Sequence, residues 1–439
     1  MAPRHAVPAV LILAGSLAIP AAQAQTLSDS TITARISQSI EADTNYDFAE
    51  DSPGTTYFGD TRFSLGILQE SETQRLRFDF STGLRPIKRP NEDFTVNVAT
   101  PSLARFAFAQ DFANSAFDID VSARATRTDQ LLRDETFTDD TDFPVLEDVD
   151  LIRDDTFRQN YRLNTGFAFG TNAPSTIDFR LRAAAIDYTG ENADDFTGRS
   201  FAEGEALWTL RVNPVLSGAL LAGYFYEDAD NDADSQIEIA EFDLGFVYEP
   251  TERLRAVGGL GYANRQRRET IGGVRRTVDD DSGIVVRANA DYETEDLVFG
   301  FNARYTTAAP SPRLSGDIFT VYSQPRSTVR ARLFQTFGFG SDLGDERRVT
   351  GAGLGYGYTL NSFSSIGLDL TAANSETAEE IGGTPDRNRV DFTARYSRTI
   401  TSVVDASLGY RLRQRFDDPT DAVSHRVFFE IGRSFTTGL

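Results

Sequence analysis

The sequence predicts an all-β chain folded as a transmembrane, antiparallel up-and-down β-barrel of about 20 strands (18–22). Three observations predict it: an export leader, period-two alternation of apolar and polar residues along the chain, and connections that alternate between short and long. Arg4 and His5 precede an apolar run, Ala6–Ala18, and a small-residue exit at Ala22-Gln23-Ala24, the pattern of a secretory signal peptide cleaved before Gln25. Residues 1–24 are therefore read as leader, and residues 25–439 as one barrel domain. The apolar run falls short of the roughly 20 residues that a spanning helix needs, and no comparable run follows it.

The alternation recurs in segments of about 10 to 14 residues. In Gln74–Arg85, Leu76, Phe78, Phe80 and Leu84 oppose Arg75, Arg77, Asp79, Ser81, Gly83 and Arg85. Ala116–Arg127 sets Phe117, Ile119 and Val121 against Asp118, Asp120 and Arg124. The final third places Val390, Phe392, Leu408, Tyr410 and Leu412 opposite Asp391, Arg395, Arg411, Arg413 and Arg415. One such hairpin would suit a soluble sandwich. Repetition over the whole chain suits a closed barrel with lipid outside and water inside. Alternation breaks within Asn91–Ala109 and Ala183–Tyr188, where bulges are expected.

Short connections are expected at Gln69–Glu72, Phe112–Ser115, Gly170–Ser175, Asn213–Leu216, Glu249–Glu252, Glu293–Asp296, Ser323–Arg326, Asn361–Ser364 and Ile400–Ser402. Long ones are expected at Phe48–Thr55, Pro86–Thr100, Asp129–Asp155, Thr189–Arg199, Glu227–Ser235, Thr270–Asp281, Gly340–Glu346, Ser375–Arg387 and Phe416–Val423. Short periplasmic turns and long outer loops are the usual outer-membrane pattern. Tyr262, Tyr292, Tyr305, Tyr356, Tyr358, Tyr396 and Tyr410 fall near strand ends, where interfacial girdles belong.

Charge narrows the function classes. Removing Arg4 from the 43 basic residues leaves 42 against 66 acidic ones, about −24, which argues against a nucleic-acid partner. Lys88 is the only lysine, so arginine supplies nearly all the positive charge. With no cysteine, disulfides, thiolate metal sites and thiol nucleophiles are excluded. No cofactor and no metal site is expected. Asp228, Asp230, Asp232 and Asp234 resemble the start of a calcium loop but lack its sixth-position glycine and twelfth-position glutamate, so a solvated acidic tip is the better reading. His425 is the only histidine beyond the leader, and nothing at an obvious spacing supplies it with a nucleophile. An enzyme is not expected.

The stretch Ile36-Ser-Gln-Ser-Ile-Glu-Ala-Asp-Thr-Asn-Tyr46, followed by an acidic loop, a hairpin and serial arginine-rich strands, resembles the β-barrel porin 2 family of outer-membrane proteins. The likeness covers most of the chain by pattern and no stretch by a sharp motif. Some members accompany exopolysaccharide production, a role that the resemblance makes available here. Val427, Phe429, Ile431 and Phe435 also resemble the C-terminal strand read by the barrel-assembly machinery, which becomes an expected partner beside outer-membrane lipid and lipopolysaccharide. The pattern departs at Thr436-Thr-Gly-Leu439, where either Leu439 replaces the final aromatic or the tail overhangs.

The expected pore lining is Arg75, Arg77, Asp79, Arg124, Arg253, Arg255, Arg287, Arg304, Arg330, Arg332, Arg395, Arg411, Arg413 and Arg415. Two readings stand: an arginine wall that attracts anions, or a lattice in which each guanidinium forks onto a neighbouring carboxylate. A candidate constriction loop, Asp129–Asp155, interleaves Asp139, Asp140, Asp142, Glu147, Asp148 and Asp150 with apolar residues such as Phe143. Gly351, Gly353, Gly355 and Gly357 alternate on one face, where strand coiling is the preferred reading over room for a solute. The expected function is a porin-like channel for small, anionic solutes. The alternative is an accessory component of polysaccharide secretion without an open pore.

Overall fold

In the computed structural model the described residues are 30–46, 48–127, 156–190, 193, 196–230, 234–271, 273–308, 312–339, 346–377, 387–416 and 421–438. They form strands β1 (Ser30–Asp43), β2 (Thr56–Glu70), β3 (Gln74–Lys88), β4 (Thr95–Phe112), β5 (Ser115–Arg127), β6 (Thr156–Phe169) and β7 (Ser175–Gly190). Next come β8 (Gly198–Asn213), β9 (Leu216–Asp230), β10 (Ser235–Thr251), β11 (Leu254–Ile271), β12 (Val274–Glu293), β13 (Leu297–Thr306) and β14 (Arg313–Ser323). The last are β15 (Ser327–Phe339), β16 (Glu346–Asn361), β17 (Ser364–Thr377), β18 (Arg387–Thr401), β19 (Val404–Phe416) and β20 (Ala422–Gly438). The leader and the loop Asp129–Asp155 lie outside the described residues.

Each strand pairs antiparallel with the next, and β20 returns to pair with β1, so the sheet has no free edge. One end of the barrel carries tight turns closed by short polar side chains. Asn213 Oδ1 accepts from the backbone N–H groups of Val215 and Leu216, both at 2.9 Å, and Thr401 Oγ1 accepts from Val404 N at 3.1 Å. Such Asx and threonine turns replace missing ladder bonds within a few residues, which lets the chain reverse without a long loop. The short turns fall where the sequence places them to within a residue or two, the β10–β11 turn closing at Thr251 and Leu254 and the β18–β19 turn at Thr401 and Val404.

The long-loop end departs from expectation in four places. Val274 follows Ile271 in a tight hairpin, so most of Thr270–Asp281 is strand that extends β11 and β12. Much of Pro86–Thr100 and of Glu227–Ser235 is likewise strand. Charged residues occupy these extensions, and hydropathy read them as loop. A connection that the sequence did not mark lies between β13 and β14. The expected irregularity in β4 is present opposite Ser81–Gly83, whereas Ala183–Tyr188 pairs with β6, and its first four residues with β8, without a shift.

Register makes one side-chain face common to all strands, because residues directly opposite each other share a face. Leu244, Leu260, Ile40, Phe63, Phe242 and Phe429 belong to the outer face and are exposed. Asp43, Asp60, Arg85, Asp243 and Arg413 belong to the inner face and are buried. A belt of exposed apolar side chains around a closed sheet is stable against hydrocarbon and not against water, and the fold is a transmembrane β-barrel. The seven tyrosines expected in girdles are on the outer face with the belt. Among the described residues no helix is long and apolar enough to cross a membrane. Thr436, Thr437 and Gly438 pair with Thr33, Ile32 and Thr31, so this part of the tail is strand and does not overhang.

Candidate functional site

The inner wall is the candidate site, and alternation positions nearly all of its expected residues there. Arg75, Arg77 and Asp79 on β3, Arg124 on β5, Arg255 on β11, Arg287 on β12 and Arg304 on β13 share the inner register. Arg330 and Arg332 on β15, Arg395 on β18, and Arg411, Arg413 and Arg415 on β19 do the same. Arg253 does not. It sits in the β10–β11 turn, one residue before β11 begins, because the strand starts later than the alternation suggested. The candidate constriction residues Asp139, Asp140, Asp142, Phe143, Glu147, Asp148 and Asp150 lie outside the described residues.

Most inner arginines reach a carboxylate. Near the turn end, Arg75 Nε lies 2.9 Å from Glu70, Arg77 Nε 2.6 Å from Asp79, and Arg255 Nε 3.2 Å from Glu249. At mid-height Glu241 accepts from Arg287 at 2.6 Å and from Arg304 at 2.7 Å, while Arg287 Nε reaches Asp243 at 2.8 Å. Arg35 forks onto Asp405 at 2.6 and 2.8 Å. These are the charge-assisted, often bidentate contacts that make arginine rather than lysine the residue of such a wall.

Several of these pairs leap over an intervening strand, and glycine makes the leap possible. Arg35 on β1 reaches Asp405 on β19 across β20, and a Cβ at Gly432 would collide with its guanidinium. Arg330 on β15 meets Asp369 on β17 at 3.7 Å across Gly355 of β16, where a Cβ would crowd both partners. Gly355 thus has a steric reason: it clears the wall under an ion pair, whereas Gly351 makes room for the ring of Phe334 and Gly353 has nothing within 4 Å. Alternation alone marked their face but not what crosses it.

At the long-loop mouth the wall is closed over by chain. Arg85 binds Asp60 through Nε and Nη2, and Arg426 pairs with Glu41. The guanidiniums of Arg85 and Arg426 each lie 5.4 Å from the ring centroid of Phe58, one of the few aromatics on the inner face. The β1–β2 connection then turns into the barrel. Tyr46 packs edge-on against Phe58 at 5.6 Å, and Arg89 covers it at 5.2 Å. Phe48 lies 5.0 Å from the Arg413 guanidinium and 5.5 Å from that of Arg415. Asn45 ties the turn internally: its Nδ2 donates to Ala49 O at 2.6 Å and to Val423 O at 3.2 Å, and its Oδ1 accepts from Ala49 N at 3.1 Å. Elsewhere on the rim Phe196 stacks on inward Tyr188 at 4.7 Å, and Ala308 covers Val285 and Ala263. The sequence read Phe48–Thr55 as an outer loop; Tyr46 followed by Phe48 inside an acidic stretch was the available sign that it turns inward.

Comparison with known proteins finds likenesses among solved structures alone. No protein-family profile matches the sequence, and no curated protein matches it. Among solved structures it is similar to the ferric-catecholate import receptor Fiu from E. coli K12, with 10% identity, 94% of this chain and 82% of that one covered, and a TM-score of 0.49. It is also similar to the outer membrane protein opdK from Pseudomonas aeruginosa, with 9% identity, 94% and 100% covered, and a TM-score of 0.37. A loop-deleted OmpT, an outer membrane protein of Vibrio cholerae, gives 10% identity, 92% and 99% covered, and 0.36. At these values the likeness is of barrel to barrel and carries nothing about solute or mechanism.

Two minor candidates resolve differently. His425 is on the outer face, its Nδ1 2.8 Å from the hydroxyl of Tyr410, with no acid or nucleophile in the same contact. In the acidic tip, Arg275 Nη2 approaches Asp234 at 3.2 Å and Asp228 at 3.8 Å, placing a guanidinium where a cation was considered. Asp232 lies outside the described residues. Among the described residues no group of three or more metal-ligating side chains converges.

Proposed function

We propose that the protein works in the bacterial outer membrane as a passive channel for small hydrophilic solutes, with preference for anionic ones, and that it is not an enzyme. The observation that carries this reading is the division of faces: an apolar belt outside, and inside a wall whose arginines near the short-turn end keep much of their surface open. The side chains of Arg75, Arg330 and Arg255 are 59%, 58% and 53% exposed. A guanidinium held at one edge by a carboxylate still presents other N–H donors to a passing oxyanion. The ion-pair lattice and the anion-attracting wall are therefore one structure. The short-turn end, where β1 begins and β20 ends, is assigned to the periplasm, with the barrel-assembly machinery and lipopolysaccharide as partners in the envelope.

Single-channel recording tests the reading. The refolded chain in planar bilayers should give stable conductance steps, with a reversal potential in a salt gradient that shows anion preference. Folded barrels that stay silent would sink it in favour of a closed accessory component of polysaccharide secretion.

A further inference from the structure

We infer that the β1–β2 connection is a strap that forms the selective constriction at the long-loop mouth, with Tyr46 and Phe48 as its seated side chains. The inference deepens the channel reading and rests on it. An outer loop would leave its aromatics in solvent, whereas Tyr46 and Phe48 are only 1% and 3% exposed. Both are seated on the wall itself, through Phe58 and the guanidiniums of Arg89, Arg413 and Arg415.

The root of the strap is fixed as firmly as its rings. Asp43 accepts from Asn45 N at 3.0 Å and from Ser424 Oγ at 2.6 Å, and Arg413 Nη2 approaches it at 3.5 Å. Thr44 N donates to His425 O at 3.0 Å, and His425 N donates to Thr44 Oγ1 at 3.0 Å, which ties the strap to β20. Phe48 has φ of 53°. A bulky residue in the left-handed region is strained and is kept only where the surroundings fix it. Gly54, with φ of 122°, supplies the reversal that returns the chain to β2.

The consequence for selection is specific. The rings lie on guanidiniums that would otherwise face the lumen, so the strap both narrows the mouth and masks positive charge there. Removing the rings should widen the passage and unmask arginine together. A loop that merely obstructed would change conductance alone.

The test is the variant Tyr46→Ala/Phe48→Ala in planar bilayers beside the parent chain. Expected are a conductance increase of roughly 1.5- to 2-fold and a shift of reversal potential toward stronger anion preference, with conductance returning to the parent value in Phe48→Trp, which keeps a ring on Arg413. A silent parent with a conducting double variant supports the strap as a full closure. Unchanged conductance and selectivity overturn it. If both chains are silent the channel reading fails by itself, and the strap is decided without current. Trp208 is the only tryptophan, so Trp208→Phe/Phe48→Trp reports from the strap alone. A seated ring should be quenched by acrylamide several-fold less than free tryptophan, and adding Tyr46→Ala should raise quenching. Quenching at the level of free tryptophan would overturn the strap.

Discussion

At the scale of the residue, the inner wall is governed by desolvated charge. Asp60 receives two donors from Arg85, whose side chain is 1% exposed, and a third at 3.5 Å from Arg62. Asp60→Asn removes the carboxylate charge that two donors of this buried guanidinium meet, and breaking a buried pair typically costs about 3–5 kcal/mol. A marked fall in the urea midpoint of the folded barrel is the expected result, and an unchanged midpoint would contradict the burial. The outer face gives the converse case. Gln38 lies between Ile36 and Ile40 in the apolar belt and is exposed, while other outward polar groups bond to the sheet, as Thr165 Oγ1 does to Asp118 O at 2.9 Å. Gln38→Leu should stabilise the barrel in lipid by about 1 kcal/mol or more, read from the same denaturation curve. Local alternation alone places Gln38 among apolar neighbours, whereas nothing local pairs Asp60. The partner of Asp60 lies 25 residues away on another strand.

At the scale of the element, alternation was enough to place strands and faces, and it failed at strand ends. Arg253 continued the pattern of β11 by sequence yet belongs to the turn, because a turn residue has no ladder to hold it on either face. The charged extensions of β11 and β12 were missed for the opposite reason, since a strand that rises beyond lipid has no apolar face to announce it. The glycines divide in a way that sequence could not foresee. A Cβ at Gly409 would strike the ring of Phe428, whereas Gly353 has nothing within 4 Å. Gly409→Ala should therefore lower stability by about 1–3 kcal/mol through overpacking, and Gly353→Ala should be close to neutral. Equal effects would refute this account of the wall.

At the scale of the whole molecule, closure is the decisive event. β1 and β20 are the first and last strands of the described residues and neighbours in the sheet, joined by a continuous ladder and by Arg35, Glu41 and Asp43 reaching β19 and β20. Deleting Ala422–Leu439 exposes the edges of β1 and β19 together, and an unpaired edge in hydrocarbon leaves several kcal/mol unsatisfied per backbone group. The shortened chain should show no heat-modifiable band on cold gel electrophoresis. A folded, fast-migrating band from it would mean that nineteen strands can close without the twentieth.

The sequence by itself determined the class of fold, the two faces of nearly every strand and the turns of the short end, because period two and turn chemistry act over a few residues. It also placed nearly all of the expected arginines on the inner face, and left open whether they form an anion-attracting wall or an ion-pair lattice. Only the tertiary structure decided which carboxylate each arginine meets, that glycine clears the path between them, and that the first long connection turns inward. Those features join residues from strands far apart in the chain, and their geometry exists only once the barrel has closed.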